Sequence, residues 1–279
     1  QISNLINRGV DAIIINPNNQ TALNPVIQEA VDAGIVVIAV DQEVSAPGAI
    51  NVVIDQTEWA RMSARWLADQ LGGAGNVVVV NGISGHPANE ARYEGVKEVF
   101  AEHPDIQIVN EVNANWDQTT AQQRMADILA GNPDIDGIWS QDGMAEGVLR
   151  AVMASNLQEW PIMVGEARAG YIQLADEVMQ ERGDFPVYGV VNPPGVGASG
   201  MKVAIELLRG NELVDGSLTG PFNNSLYVPI PGEVNQENFT ERLSEVEGRP
   251  ASYVLDGIIT NEELAEFFTE DVQTVGMVQ

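Results

Sequence analysis

An α/β fold built on parallel sheets is predicted from three features of the chain. Short β-branched runs alternate with amphipathic stretches of roughly ten to fifteen residues, the runs are apolar on both faces, and several end in a polar residue. The opening residues place Ile2, Leu5 and Ile6 at helical spacing and carry neither a basic stretch nor a long apolar one. The chain is therefore expected to begin inside a fold, with further residues upstream. Strand 12–16, helix 21–33 and strand 36–40 follow. The extended stretch 50–55 then leads directly into helix 57–71 without a return helix, which predicts a crossing into a second lobe. There the rhythm continues as strand 77–80, helix 90–101, strand 106–112, helix 119–130, strand 137–140, helix 144–154, strand 162–164, helix 171–180 and strand 187–191.

Asn192-Pro193-Pro194 breaks the pattern again, and a third extended segment covers 225–230. Three crossings of this kind are expected to form a hinge. The N-terminal lobe is accordingly expected over 1–54 and 193–222, and the C-terminal lobe with its tail over 55–192 and 223–279. Beyond Ile230 the chain is acidic and rich in turns, with Pro231-Gly232 and Gly248-Arg249-Pro250, before a last helix at 261–268.

Composition narrows the function classes. The 279 residues, 44% of them hydrophobic, are enough for two lobes with their own cores, and no apolar run approaches the ~18 residues of a membrane span. Asp and Glu number 40 against 13 Lys and Arg, for a net charge of -27, so phosphate backbones and anionic lipid would repel this chain. The only lysines are Lys97 and Lys202. An acid-rich, lysine-poor surface stays hydrated in concentrated salt, and a halophilic or marine source is expected; a thermal stability that rises towards molar NaCl checks it. Cysteine is absent, which removes disulfides, thiolate metal sites and cysteine nucleophiles.

The polar strand ends are Asn16, Asp41, Asn81, Gln141 with Asp142, Glu166 and Asn192. Open parallel sheets bind ligands at this carboxyl edge, because the connecting loops open a crevice there. Each such residue can also simply start a turn or cap the next helix, and at any single position both readings stay open. Gly195-Val196-Gly197-Ala198-Ser199-Gly200 is a literal G-x-G-x-x-G, yet Pro193 and Pro194 interrupt the turn and Asp215 lies in a glycine-containing loop. Close helix packing explains it better than a nucleotide, and no cofactor or metal is expected. With two histidines, His86 and His103, and no G-x-S-x-G elbow, nucleophilic catalysis is not expected either.

Three further segments could contact a ligand. Asn89 and Arg92 lie three apart at the start of a helix, where an arginine can donate to vicinal hydroxyls or a carboxylate; a surface ion pair with Glu90 or Glu94 is the plainer alternative. Trp116, in the loop Asn115-Trp116-Asp117, can cover the C–H face of a sugar ring or serve only as a loop tryptophan. Gln141-Asp142 sets a polar pair at a strand end and at once begins a helix.

In their order these marks resemble the type I periplasmic substrate-binding proteins of sugar ABC importers, especially the ribose- and galactose-binding branch. The marks are Ile15-Asn16-Pro17, Val40-Asp41, the stretch from Gly85-His86-Pro87 to Glu90-Ala91-Arg92, Trp116-Asp117, Gln141-Asp142 with Met144-Ala145, and Asn192. The resemblance runs to about Ile230. It implies two Rossmann-like lobes with parallel sheets, a three-strand hinge and closure of the lobes on a sugar, with the N-terminal strand and helix of the first lobe lying outside this chain. It implies that Asp41 accepts from sugar hydroxyls, that Arg92 binds ring or hydroxyl oxygens, that Trp116 stacks on the sugar, that Gln141 replaces a ligand-binding Asn beside Asp142, and that Asn192 is the hinge amide. Gln42 stands where ribose binders carry an arginine, and Glu166 is offset by one residue from the family's ligand Asp; both are kept as ligand candidates, with Asn89. The expected role is a monomeric, non-enzymatic extracytoplasmic receptor that hands a sugar or polyol to an ABC permease and does not bind nucleic acid. The effector core of a LacI-type repressor shares this fold and is the alternative, and a sugar-acting enzyme using Glu166 and Asp142 is a third reading.

Overall fold

The β-branched runs pair as parallel strands and the amphipathic stretches fold as helices around them. A computed structural model of the chain describes residues 1–131 and 134–269. The first stretch comprises α1 (Ile2–Arg8), β1 (Ala12–Ile15), α2 (Asn24–Asp32), β2 (Val36–Val40) and β3 (Ile50–Val53). Next come α3 (Gln56–Gln70), β4 (Ala74–Asn81), α4 (Pro87–Ala101), β5 (Asp105–Asn113), α5 (Gln118–Gly131) and β6 (Gly137–Ser140). A 3-10 turn at Asp142–Met144 leads into α6 (Ala145–Ala154), β7 (Ile162–Met163), β8 (Gly165–Glu166), α7 (Ala169–Arg182) and β9 (Tyr188–Val190). The remainder is α8 (Val196–Leu208), β10 (Ser225–Tyr227), β11 (Glu233–Asn235), α9 (Phe239–Glu245) and α10 (Asn261–Ala265).

These elements divide into two compact units. Unit 1 contains residues 1–55, 193–230 and 256 onward; unit 2 contains 56–192 and 231–255. The chain thus passes between the units four times, one more than the sequence predicts. The assignment of 223–279 to the second lobe holds for 231–255 and is corrected on either side: β10 pairs in parallel with β3, placing 225–227 in the sheet of unit 1. Residues 256–269 join unit 1 as well. Lys202 Nζ donates to the Ile259 carbonyl at 2.5 Å, and Leu213 bridges to Phe268. A capping box starts α10, with Glu263 N donating to Thr260 Oγ1 at 3.1 Å and Thr260 N to the Glu263 carboxylate at 2.7 Å.

The sheet of unit 1 has the order β1-β2-β3-β10, parallel throughout. Ile13, Ile27, Ala30, Val37 and Ala39 form its core. The G-x-G-x-x-G motif opens α8, and its last glycine explains itself by packing: a Cβ on Gly200 would stand 2.5 Å from Val40 Cγ1. The Asp256 carboxylate accepts from Gly195 N at 2.6 Å, so the α8 N-terminus is already capped by an anion from its own chain.

Unit 2 has a parallel sheet ordered β5-β4-β6-β7 and a second ordered β11-β9-β8. The sequence reading of one strand at 162–164 becomes two, because Val164 still donates to the Ile138 carbonyl of β6 while Gly165 and Glu166 pair with β9. β11 is antiparallel to β9 and departs from the all-parallel expectation. Val78, Val80, Ile138, Val148, Leu149 and Ile172 are among the residues filling the main core. Trp139 is fully buried on β6, its indole N–H donating to Ser63 Oγ at 2.9 Å. No helix among the described residues is long and apolar enough to cross a membrane.

Candidate functional site

Seven of the nine candidate residues, Asn89, Arg92, Trp116, Gln141, Asp142, Glu166 and Asn192, belong to unit 2; Asp41 and Gln42 belong to unit 1. In unit 2 the adjacent parallel strands β4 and β6 end within one residue of each other, Val80 standing opposite Ser140, so Asn81 and Gln141 fall side by side.

Gln141 is fully buried and its amide is committed to its own fold. Its Nε2 donates to Asn81 Oδ1 at 3.1 Å and to Asn89 Oδ1 at 3.0 Å, while its Oε1 accepts from Trp116 Nε1 at 3.0 Å. Asn89 Oδ1 also accepts from Gly82 N at 2.7 Å, and its Nδ2 donates to Glu90 at 3.0 Å. These two amides bind together three loops, at 82, 116 and 141. Trp116 and Asn115 both have positive φ, 56° and 57°, a conformation that costs about 1–3 kcal/mol per non-glycine residue and persists where surroundings over-determine it. The Gln141 bond supplies part of that. Gly82 supplies the room, since a Cβ there would lie 2.1 Å from the indole. His86 meets the Trp116 ring edge-on, with centroids 4.8 Å apart.

Arg92 is buried, not on a helix surface, and its partners are neither Glu90 nor Glu94. Its Nε donates to Gln56 Oε1 at 2.7 Å and its Nη1 to Asp142 Oδ2 at 3.2 Å, while the guanidinium carbon stands 4.2 Å from the centre of the Trp59 ring. Asn192 Nδ2 donates to the same Asp142 oxygen at 2.9 Å. Asp142 itself has φ 42° and remains partly exposed. Among the described residues, these bonds leave Arg92 Nη2 as a donor, with Asp142 Oδ1 and Asn192 Oδ1 as acceptors.

Glu166 is 2% exposed and faces Arg168, whose Nε lies 3.2 Å from its carboxylate. Loss of solvation raises the Glu166 pKa well above the ordinary carboxylate range; Arg168 opposes the rise, and the carboxylates of Asp142 and Glu146 add to it. Arg168 also lies against Gly143, where a Cβ would stand 2.7 Å from its guanidinium. Three carboxylates of this region are each matched with an arginine: Asp142 with Arg92, Glu166 with Arg168, Glu146 with Arg150.

In unit 1, Asp41 directly follows β2 with φ 65°, a conformation that aspartate tolerates better than most residues. Its Oδ2 accepts from Asn16 Nδ2 at 3.4 Å and from Gln42 Nε2 at 3.2 Å. The loop that follows is held from behind. Asn51 Oδ1 accepts from Val44 N at 2.9 Å, and Asn224 Nδ2 donates to the carbonyls of Val44, Ala46 and Ala49 at 3.1–3.4 Å.

Gln56, Trp59 and Arg168 escape the sequence reading. Trp59 carries the spacing of a core helix residue, and nothing in a sequence distinguishes a tryptophan that packs under an arginine from one that fills a core. Among the described residues, no three His, Cys, Asp or Glu side chains are grouped to hold a metal ion.

Residues 1–212 match the family described as periplasmic binding protein domain. The chain is 31% identical over 217 residues to the xylitol-binding protein of Mycolicibacterium smegmatis, and 29% identical over 157 residues to the ribose import binding protein of Bacillus subtilis. These matches take in 76% and 55% of the chain, which spans 60% and 50% of the length of the two relatives. Among solved structures, an ABC transporter periplasmic solute binding protein from Actinobacillus succinogenes with bound D-allose is similar at TM-score 0.70 and 30% identity. That likeness covers 86% of this chain and 83% of the other. An ABC transporter solute binding protein from Bacillus halodurans with bound myo-inositol is similar at TM-score 0.72 and 25% identity, covering 88% and 81%.

Proposed function

The chain belongs to the periplasmic binding protein domain family, and from that premise we propose that it captures a neutral sugar or polyol for an ABC importer. The observation that carries the proposal is the Arg92–Asp142–Asn192 cluster, which holds one donor and two acceptors open at the ends of parallel strands. A hydroxyl both donates and accepts, so such a mixed set suits a polyol. Asp142 already balances the charge of Arg92, which leaves that guanidinium no surplus charge to attract a sugar acid.

In this reading Arg92, Asp142, Asn192 and Glu166 are ligand groups of unit 2, and Trp116 is the ring that meets the sugar. Gln141 and Asn89 serve by fixing the loops that carry them. Asp41 and Gln42 are the ligand groups of unit 1. The described relatives are named as xylitol-, ribose- or solute-binding proteins, one for import and two of ABC transporters, which favours a receptor over the effector core of a repressor and over an enzyme. The location that goes with this role is extracytoplasmic, the partner is a membrane permease, and the receptor works as a monomer without nucleic acid.

The test is a thermal-shift screen of the full-length protein against xylitol, D-ribose, D-allose, myo-inositol, L-arabinose and a set of uronic and aldonic acids. A ligand at 100 times its Kd stabilises the native state by about 2.7 kcal/mol. At least one neutral polyol is expected to raise the melting temperature by several degrees. Stabilisation by sugar acids alone, or by none of the panel, overturns the proposal.

A further inference from the structure

We propose that Gln56 and Trp59, on α3, are positioning residues that fix the Arg92 guanidinium for ligand, an inference that rests on the polyol-receptor reading. Both are buried, and Arg92 is buried against them. Gln56 takes the Nε–H of Arg92 at 2.7 Å, and the Trp59 ring lies under the guanidinium at 4.2 Å. With Nη1 on Asp142, three sides of the group are defined and its remaining nitrogen is aimed by its own framework.

The chain carries a cost at both residues. Gln56 Nε2 and Trp59 Nε1 are buried without a hydrogen-bond partner among the described residues. A buried donor left unpaired is unfavourable, and leucine or phenylalanine would fill either position without one. Neither residue is therefore explained by packing alone. What each supplies is the face turned to Arg92: an amide oxygen that accepts, and an indole ring, the strongest cation–π partner among side chains. The Gln56 amide orientation follows from the donor it meets, because an arginine N–H requires the oxygen and turns the NH2 away.

The helix packing is arranged for this contact. α3 and α4 pack closely, and Gly95 sits one turn beyond Arg92 at the crossing. A Cβ on Gly95 would lie 2.4 Å from the Thr57 carbonyl oxygen. Only glycine lets the first turn of α3, which carries Gln56 and Trp59, come this near to α4. Guanidinium orientation is otherwise a matter of several rotatable bonds, and ordering it in advance removes an entropy cost from ligand binding.

The experiment is isothermal titration of the full-length protein with xylitol, D-ribose, D-allose and myo-inositol, with the melting temperature recorded for every variant. The variants are Trp59→Leu, Trp59→Phe and Gln56→Leu, each made alone and in an Arg92→Ala background. Trp59→Leu and Gln56→Leu are expected to weaken the wild-type ligand by roughly 5- to 20-fold, and Trp59→Phe by less than about 3-fold, because it keeps a ring face. In the Arg92→Ala background the same changes are expected to move affinity by less than about 2-fold, since a positioning residue has nothing left to position. Equal losses with and without Arg92, or a lowered melting temperature with unchanged affinity, overturn the inference and leave the receptor reading standing. A wild-type protein that binds none of the four, nor L-arabinose, overturns the receptor reading, and this inference with it.

Discussion

The carboxyl edges of the two units hold their polar side chains by opposite means. In unit 2 the side chains hold one another: Arg92, Asp142 and Asn192 form a chain of bonds at 2.9–3.2 Å, and Gln141, Asn89 and Trp116 a second. In unit 1 Asp41 is loosely held, by contacts of 3.2 and 3.4 Å, while the backbone behind it is fixed by the buried amides of Asn51 and Asn224. Order in unit 2 thus resides in the candidate ligand groups themselves, and in unit 1 in the loop that carries them. Mutation of a ligand group should therefore cost stability in unit 2 and almost none in unit 1.

The largest effect is expected from Asn224→Ala, which strips the carbonyls of Val44, Ala46 and Ala49 of a buried donor. A loss of about 2–4 kcal/mol in unfolding free energy, read by urea denaturation, is the expected outcome. Arg92→Ala follows, with about 1–3 kcal/mol lost from ligand affinity by calorimetry and a measurable loss of stability, since Asp142 loses its cation. Trp116→Ala should weaken binding by about 1–3 kcal/mol; an unchanged affinity in both variants would move the site elsewhere. Asp41→Asn keeps a residue that tolerates positive φ and removes a charge held by the Asn16 and Gln42 amides at 3.4 and 3.2 Å. It is expected to change stability by less than about 0.5 kcal/mol while still reducing affinity. A larger stability loss there would break the contrast between the units.

Glu166 sharpens the same contrast through pH. Its pKa is raised in the folded protein, chiefly by loss of solvation, so the folded state favours its protonated form. The stability this contributes is fully present below the ordinary value of 4.5 and is lost as pH rises through the folded pKa. Glu166→Gln mimics the protonated group, so the difference in melting temperature between variant and wild type should grow with rising pH above that value. A difference independent of pH would show that the carboxyl is not strained by ionisation.

Much of the fold was legible because it depends on local rules. β-branched runs and helical spacing located most strands and helices to within a few residues, as with β6 at Gly137–Ser140 and α3 at Gln56–Gln70. The strand-end rule picked out Asp41, Gln141, Asp142 and Asn192 because parallel sheets expose that edge whatever the rest of the chain does. The extended segment at 225–227 and the helix at 261–265 were legible in the tail, but the unit to which each belongs was not. Ser225–Tyr227 is a three-residue strand whose place beside β3 depends on a partner more than 170 residues away, through bonds such as Asn51 to Asn224.

The sequence by itself determined the layered α/β pattern, the strand ends and the acidic charge, since each follows from residue type and spacing along the chain. Only the tertiary structure decided what those strand-end residues do. Gln141 and Asn89 spend their hydrogen bonds on neighbouring loops, Arg92 is drawn into the interior by Gln56, Trp59 and Asp142, and Glu166 faces an arginine away from solvent. The physical reason is that hydrogen-bond satisfaction and desolvation depend on distance in space, and residues from separate elements meet only when the chain has folded.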